Sequence, residues 1–237
     1  MRRPMLSLIV LLVVSGLVAP ATSYAQQSFN IDLGAFVPKG ADSRTDNDVL
    51  VGNLQDGGLK FNIGDFKSAT VGGEWLFGLN DFLDAGVGLG IHSKRAPSVY
   101  RDLTHSNGDE IEQDLKLRVV PFTATVRFLP LGRGAAIEPY IGGGVGVFAW
   151  RYSETGEFVD FTDFGIFRDS FSGSGATAGP VVLGGVGVPI GSSSVGFEIR
   201  YQSAQGELPT DQGFSGGTNP KIDLGGFNYL ATFKVRF

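Results

Sequence analysis

The sequence predicts an all-β chain: an eight-stranded antiparallel transmembrane β-barrel, with short periplasmic turns at one end and long extracellular loops at the other. Three observations predict it. From Ser28 onward, apolar residues recur at every second position in successive short runs, the period of a strand with unlike faces. The connections between those runs alternate short and long, as they do when hairpins turn tightly on one side of a bilayer and open on the other. Beyond residue 25, no apolar run reaches the roughly 20 residues that a spanning helix needs.

The first 25 residues read as a secretory leader rather than as part of the barrel. Arg2 and Arg3 form a positive start, residues 5–19 are nearly continuous apolar sequence, and Ser23-Tyr24-Ala25 places small residues where a signal peptidase reads. Cleavage is expected after Ala25, leaving one domain over residues 26–237.

Strand one sets Phe29, Ile31, Leu33, Ala35 and Val37 against Asn30, Asp32, Gly34 and Phe36. Strand two sets Val71, Trp75, Phe77 and Leu79 against Thr70, Glu74 and Leu76. Strand three sets Leu83, Ala85, Val87, Leu89 and Ile91 against Asp84, Gly86, Gly88, Gly90 and His92. Strand four changes phase. Leu115, Leu117 and Val119 alternate with Lys116 and Arg118, whereas beyond Pro121 the apolar set is Phe122, Ala124, Val126 and Phe128. A one-residue insertion near Val120-Pro121 would reconcile the halves, so a β-bulge is expected there. Strands five and six, about 140–151 and 176–190, are Gly-rich and weakly phased. Strand seven sets Val195, Phe197, Ile199 and Tyr201 against Glu198, Arg200 and Gln202; strand eight sets Tyr229, Ala231, Phe233, Val235 and Phe237 against Leu230, Thr232, Lys234 and Arg236. Short turns follow strands two, four and six, and long polar loops are expected around 39–66, 96–110, 152–174 and 203–225.

Composition narrows the function classes. Absence of Cys excludes disulfides, thiolate metal sites and a Cys nucleophile. Losing Arg2 and Arg3 with the leader takes the formal charge from −5 to −7, and no basic cluster compensates, so nucleic acid is not an expected partner. With only His92 and His105, and no ligand spacing among the acidic loop residues, no metal site or cofactor is expected. A soluble barrel would also alternate. Here, however, the less apolar face mixes Gly with charges, which suits a narrow lumen better than a solvated exterior that would gain nothing from Gly.

The last strand, with Tyr229, Phe233, Val235 and terminal Phe237, resembles the C-terminal β-signal of outer-membrane barrels. After a leader and seven alternating strands, the chain is similar to the small outer-membrane β-barrel superfamily, as in the OmpA transmembrane domain, OmpX and OmpW-like proteins. The resemblance covers the mature chain as a pattern. It implies outer-membrane localisation, lipid as surroundings, barrel-assembly machinery as a partner through the C-terminal strand, and, with the pattern ending at strand eight, no peptidoglycan-binding domain.

Placing the polar face inward puts Asp32, Glu74, Asp84, Lys116, Arg118, Arg127, Glu198, Arg200, Lys234 and Arg236 in the lumen. Closure of strand eight on strand one makes Lys234 or Arg236 the expected partner of Asp32. Eight strands leave an interior just wide enough for side chains, so a polar plug is expected in preference to an ion path. The distinctive loop carries Phe158, Phe161, Phe164 and Phe167 with Asp between them, a candidate short helix or turn that either binds an extracellular ligand or packs over the barrel mouth against Trp150 and Tyr152. His92-Ser93, adjacent on a strand, point to opposite faces and His105-Ser106 falls in a loop, so neither has nucleophile-pair geometry. A non-enzymatic surface role is therefore the leading expectation, a narrow channel for ions or small apolar solutes the second, and a lipid-modifying enzyme the third.

Overall fold

The computed structural model describes residues 26–237; the leader read over residues 1–25 lies outside them. Eight long strands form the wall: β1 Gln27–Pro38, β2 Ser68–Asn80, β3 Leu83–Thr104, β4 Glu110–Phe128, β5 Glu138–Val159, β6 Ile166–Ile190, β7 Ser193–Gln202 and β8 Gly226–Arg236. Each is antiparallel to its neighbours, and β8 closes on β1 with Ile31 opposite Phe233, so no long edge is left open. The expected barrel is therefore present.

The wall is taller than a membrane. β6 runs for 25 residues, whereas about 9–11 suffice for a barrel strand to cross a bilayer. The stretches expected as loops over 96–110 and 152–174 are mostly strand: β3 and β4 pair out to Thr104 and Glu110, and β5 and β6 to Val159 and Ile166. Only the tips 105–109 and 160–165 turn.

The taller wall has two storeys, distinguished by which face is apolar. In the lower one Leu33, Val87, Phe122, Ile141 and Val145 are exposed outward, while Asp32, Glu74, Arg127 and Glu198 are buried inside. Aromatic residues band this belt at both ends, with Phe29, Trp75 and Phe237 near the periplasmic turns and Tyr201, Phe227 and Tyr229 at the far side. In the upper storey the polarity inverts. Ile111, Leu115, Leu117, Val119, Phe148 and Tyr152 are buried inside, and Lys116, Arg118 and Arg151 are exposed outside.

This inversion replaces the expected bulge. Leu89 opposes Phe122 and His92 opposes Val119 in one unshifted register, and β4 stays paired to β5 through Val120–Ala149 and Pro121–Phe148. No residue is inserted; odd-numbered residues of β4 face inward throughout. The apolar set changes sides because the interior changes from a charged cluster in the lower storey to an apolar core in the upper one. Lys116 and Arg118, expected in the lumen, therefore lie on the outer wall.

Loops complete the upper core. Residues 39–67 carry a short helix, α1 Val49–Gln55, whose Val49, Leu50 and Val51 are buried. Asp48 caps it: Oδ1 accepts from the Leu50 and Val51 backbone N–H groups at 3.0 and 3.4 Å. The other carboxylate oxygen of Asp48 takes Arg44 at 2.9 Å and the Asp223 backbone N–H at 2.7 Å. One buried carboxylate thus ties the first loop to the last, where Gln205–Glu207 and Lys221–Asp223 form a small ladder. Ile222, Leu224, Leu208 and Phe214 close the core from that side.

Candidate functional site

Two places gather chemistry: the lower lumen and an extracellular cleft. In the lumen, alternation aims every second residue of each strand at a narrow axis, so charges from non-adjacent strands meet. Glu74 of β2 accepts hydrogen bonds from Arg127 of β4, from Thr125 Oγ1 at 2.8 Å and from Arg200 of β7 at 3.0 Å. Glu198 lies 2.9 Å from Arg127 and 2.7 Å from Arg200, and accepts from the Tyr140 hydroxyl at 3.0 Å. The Arg127 guanidinium also sits 4.7 Å from the centre of the Tyr140 ring. Asp32 joins at the margin, 4.0 Å from Arg200 and hydrogen-bonded by Asn30.

A second cluster lies toward the periplasmic turns. Glu138 takes Arg236 at 2.7 Å, Lys234 at 3.2 Å and the Gly134 backbone N–H at 3.0 Å, and Asp84 pairs with Arg133. Asp32 is thus not the partner of Lys234 or Arg236; the register sets those two one level lower, where Glu138 waits. Eight of the ten expected lumenal charges are inside, Lys116 and Arg118 are not, and Glu138 and Arg133 were missed. Glu138 opens the Gly-rich strand whose phase the sequence does not reveal, although its even-numbered partner Tyr140 is a clue. Arg133 reaches in from a turn, which no periodicity announces.

The interior set is therefore five acids (Asp32, Glu74, Asp84, Glu138, Glu198) and five bases (Arg127, Arg133, Arg200, Lys234, Arg236), all engaged with one another. Above them is a cavity of about 30 Å³, lined in part by Asp32, Thr123, Arg200 and Gln202. Higher still, His92 stacks on Phe36 with ring centroids 4.1 Å apart, and the upper apolar core follows. His92 is inward as expected and its neighbour Ser93 is exposed; His105 Nε2 meets Glu157 at 2.9 Å.

The extracellular cleft is about 270 Å³ and lies among α1, the β5–β6 hairpin and the last loop. Here the sequence-predicted rings gather. Phe158 and Phe167 are opposite one another in the β5–β6 register and stack at 5.8 Å; Phe171 meets Phe158 edge-on at 4.8 Å. They are strand residues rather than a short helix, with the turn confined to 160–165. Phe158 is buried, while Phe161, Phe164 and Phe167 are exposed. Phe161 lies over Tyr100 at 6.4 Å and Phe164, at φ 58°, projects from the tip. Packing onto the mouth is through Phe214 to Tyr152; Trp150 instead fills space beside Gly206, where an added Cβ would collide with the indole.

Polar groups line the floor of that cleft. Glu154 accepts from Asn53 at 2.7 Å and from the Tyr152 hydroxyl at 2.8 Å. Burial raises the Glu154 carboxyl above its ordinary value and holds the Tyr152 hydroxyl well above its own. Gln113 donates to Tyr100 and to the Glu157 carbonyl, while its buried Oε1 has no partner among the described residues.

Tyr229, Phe233, Val235 and Phe237 are all exposed on the outward side of the chain's last segment.

No protein-family model and no curated protein sequence matches the chain. Among solved structures it is similar to the outer membrane protein OprG from Pseudomonas aeruginosa, with a TM-score of 0.51 at 13% identity over 91% of this chain and 98% of that one. It is also similar to Neisserial surface protein A, with a TM-score of 0.46 at 14% identity over 90% and 98% of the two chains. For the outer membrane protease OmpT from Escherichia coli the values are 0.43 and 13% over 92% and 100%. The likeness to OprG is one of fold, a closed antiparallel β-barrel.

Proposed function

We propose that this chain is a non-conducting, non-enzymatic outer-membrane barrel that acts at the cell surface through its extracellular storey. The carrying observation is the pairing of a sealed lumen with an open cleft. Five acids and five bases occupy the lower interior, an apolar core caps them, and the 270 Å³ cleft above is walled by Phe158, Phe161, Phe167 and Phe171. Exposed rings at the tip of a paired hairpin favour a binding role, since exposed apolar patches usually mark a partner. In this reading residues 1–25 export the chain and are removed after Ala25, and assembly machinery reads Tyr229, Phe233, Val235 and Phe237. The test joins two measurements: planar-bilayer conductance of refolded residues 26–237, and retention of a panel of glycans and matrix proteins by cells displaying the barrel. Silence in the bilayer with retention lost in Phe161→Ser/Phe167→Ser supports the proposal.

One observation favours a narrow path instead. The β3–β4 ladder has no paired residue at Gly90 or Ile91, where Pro121 offers no N–H, and the lumenal cavity lies just inside that break. Reproducible conductance steps, or uptake of an apolar solute abolished by restoring the ladder with Pro121→Val, would favour this second reading. Against an enzyme, His92 is stacked on Phe36 with Ser93 exposed, and His105 is engaged by Glu157.

A further inference from the structure

The outer wall carries a depression that neither the lumen nor the cleft uses. It is about 690 Å³, opens outward across β1–β4, and is walled by Phe29, Trp75, Val87, Leu89 and Phe122. Glycine makes it: Gly73 faces outward without a side chain, and the Phe29 ring leans over the bare spot. From the level of Val87 to that of Arg118, which opposes Ser93, the trough climbs six residues of β3, about 20 Å at 3.3 Å each. Its floor is apolar and lies within the belt, so an extended hydrocarbon chain fits it better than water does.

At its upper lip the chemistry changes abruptly. Arg118 lines the trough and stands directly opposite Arg151 in the β4–β5 register, both exposed outward. Like charges directly opposite on neighbouring strands repel. Neither guanidinium forms a salt bridge or side-chain hydrogen bond among the described residues. Lys116 adds a third outward cation one level higher, where it opposes Arg95; the acid nearest in register, Asp114, is engaged by Arg95 at 3.2 Å. The cations stand where the apolar belt ends, the depth of a lipid headgroup.

We propose that the trough holds an acyl chain of an outer-leaflet glycolipid whose phosphomonoester is gripped by Arg118 and Arg151. Two facing guanidiniums match the charge of a phosphomonoester, about −1.5 to −2 at neutral pH, better than the single charge of a phosphodiester headgroup. This assignment rests on the outer-membrane placement and is independent of the cleft.

The experiment is native mass spectrometry of refolded residues 26–237, released from micelles after incubation with bisphosphorylated lipid A, with the same lipid dephosphorylated, or with phosphatidylglycerol. One retained bisphosphorylated lipid per barrel is expected. Arg118→Ser/Arg151→Ser is expected to weaken retention on the order of tenfold or more, the loss of a charge-assisted hydrogen bond. Val120→Trp, which fills the trough and leaves both arginines, is expected to lower retention as well. Each variant is first shown to be folded by its heat-modifiable gel mobility. Equal retention of the dephosphorylated lipid or of phosphatidylglycerol, or indifference to either variant, overturns the proposal. Because conductance and cleft binding are separate readouts, failure here leaves the surface reading untouched.

Discussion

Replacing Arg127 with Met tests whether the lumen is a mutually satisfied plug. Arg127 is the shared partner of Glu74 and Glu198, both wholly buried, and its own side chain is only 5% exposed. Without it, Arg200 alone faces three carboxylates, Glu74, Glu198 and Asp32, at 3.0, 2.7 and 4.0 Å. Removing one member of a buried ionic set costs about 3–5 kcal/mol. Because Arg200 still reaches both glutamates, the lower end, about 3 kcal/mol, is the expected loss. Urea unfolding of the protein refolded into vesicles measures it. The chain has two tryptophans, Trp75 on the lipid face and Trp150 in the upper core, so Trp150→Phe leaves a single reporter on the lower storey. Arg127→Met/Glu198→Met is expected to cost less than the two single losses combined, by about 0.5–3 kcal/mol. A single variant within about 0.5 kcal/mol of the parent, or strictly additive losses, would refute the shared-plug account.

Three further outcomes are expected. Because the chain lacks Cys, Lys116→Cys and Arg118→Cys on intact cells should react with a membrane-impermeant maleimide while Leu117→Cys stays silent; labelling of Leu117→Cys alone would put the polarity inversion in the wrong place. Burial raises the Glu154 carboxyl above its ordinary 4.5, so the folded state holds that proton more tightly than the unfolded chain. Its contribution is fully present below 4.5 and is lost as pH rises through the raised value. The protection of α1 against hydrogen exchange, taken relative to the intrinsic pH-dependent rate, should therefore fall over that interval and stay level in Glu154→Gln, which keeps an acceptor for Asn53 and Tyr152; pH-independent protection in the parent would contradict this. Finally, Phe237→Ala should lower the amount of barrel assembled in cells while leaving the urea midpoint of the refolded protein within experimental error. Normal assembly would remove the C-terminal aromatic from its recognition role.

How much of this was legible beforehand depends on which property is local. Alternation is local, so β1, β2, β7 and β8 match their expected runs to within about three residues, and parity alone sets Asp32, Glu74, Asp84, Arg127 and Glu198 on the less apolar face of their strands. The Phe-rich hairpin was also visible, although its strand form was not, because Phe158 and Phe167 are ordered by pairing across the hairpin rather than by their own spacing.

What only the tertiary structure decided is what each face meets. A strand's period states that its faces differ, never which one touches lipid, water or protein. Along β4 the parity never changes, yet Leu117 and Phe122 lie on opposite faces, one in a protein core and one exposed on the outer wall. Read in isolation, that is a bulge; in a closed wall taller than the bilayer, it is the membrane surface. The same holds for partners: Glu138 meets Arg236 because strands far apart in sequence converge on one axis at one height, a distance set by closure and register. The sequence alone determined the alternation and hence the barrel. The height of the wall and the pairing of its interior charges came from how eight alternating strands were stacked around a common interior.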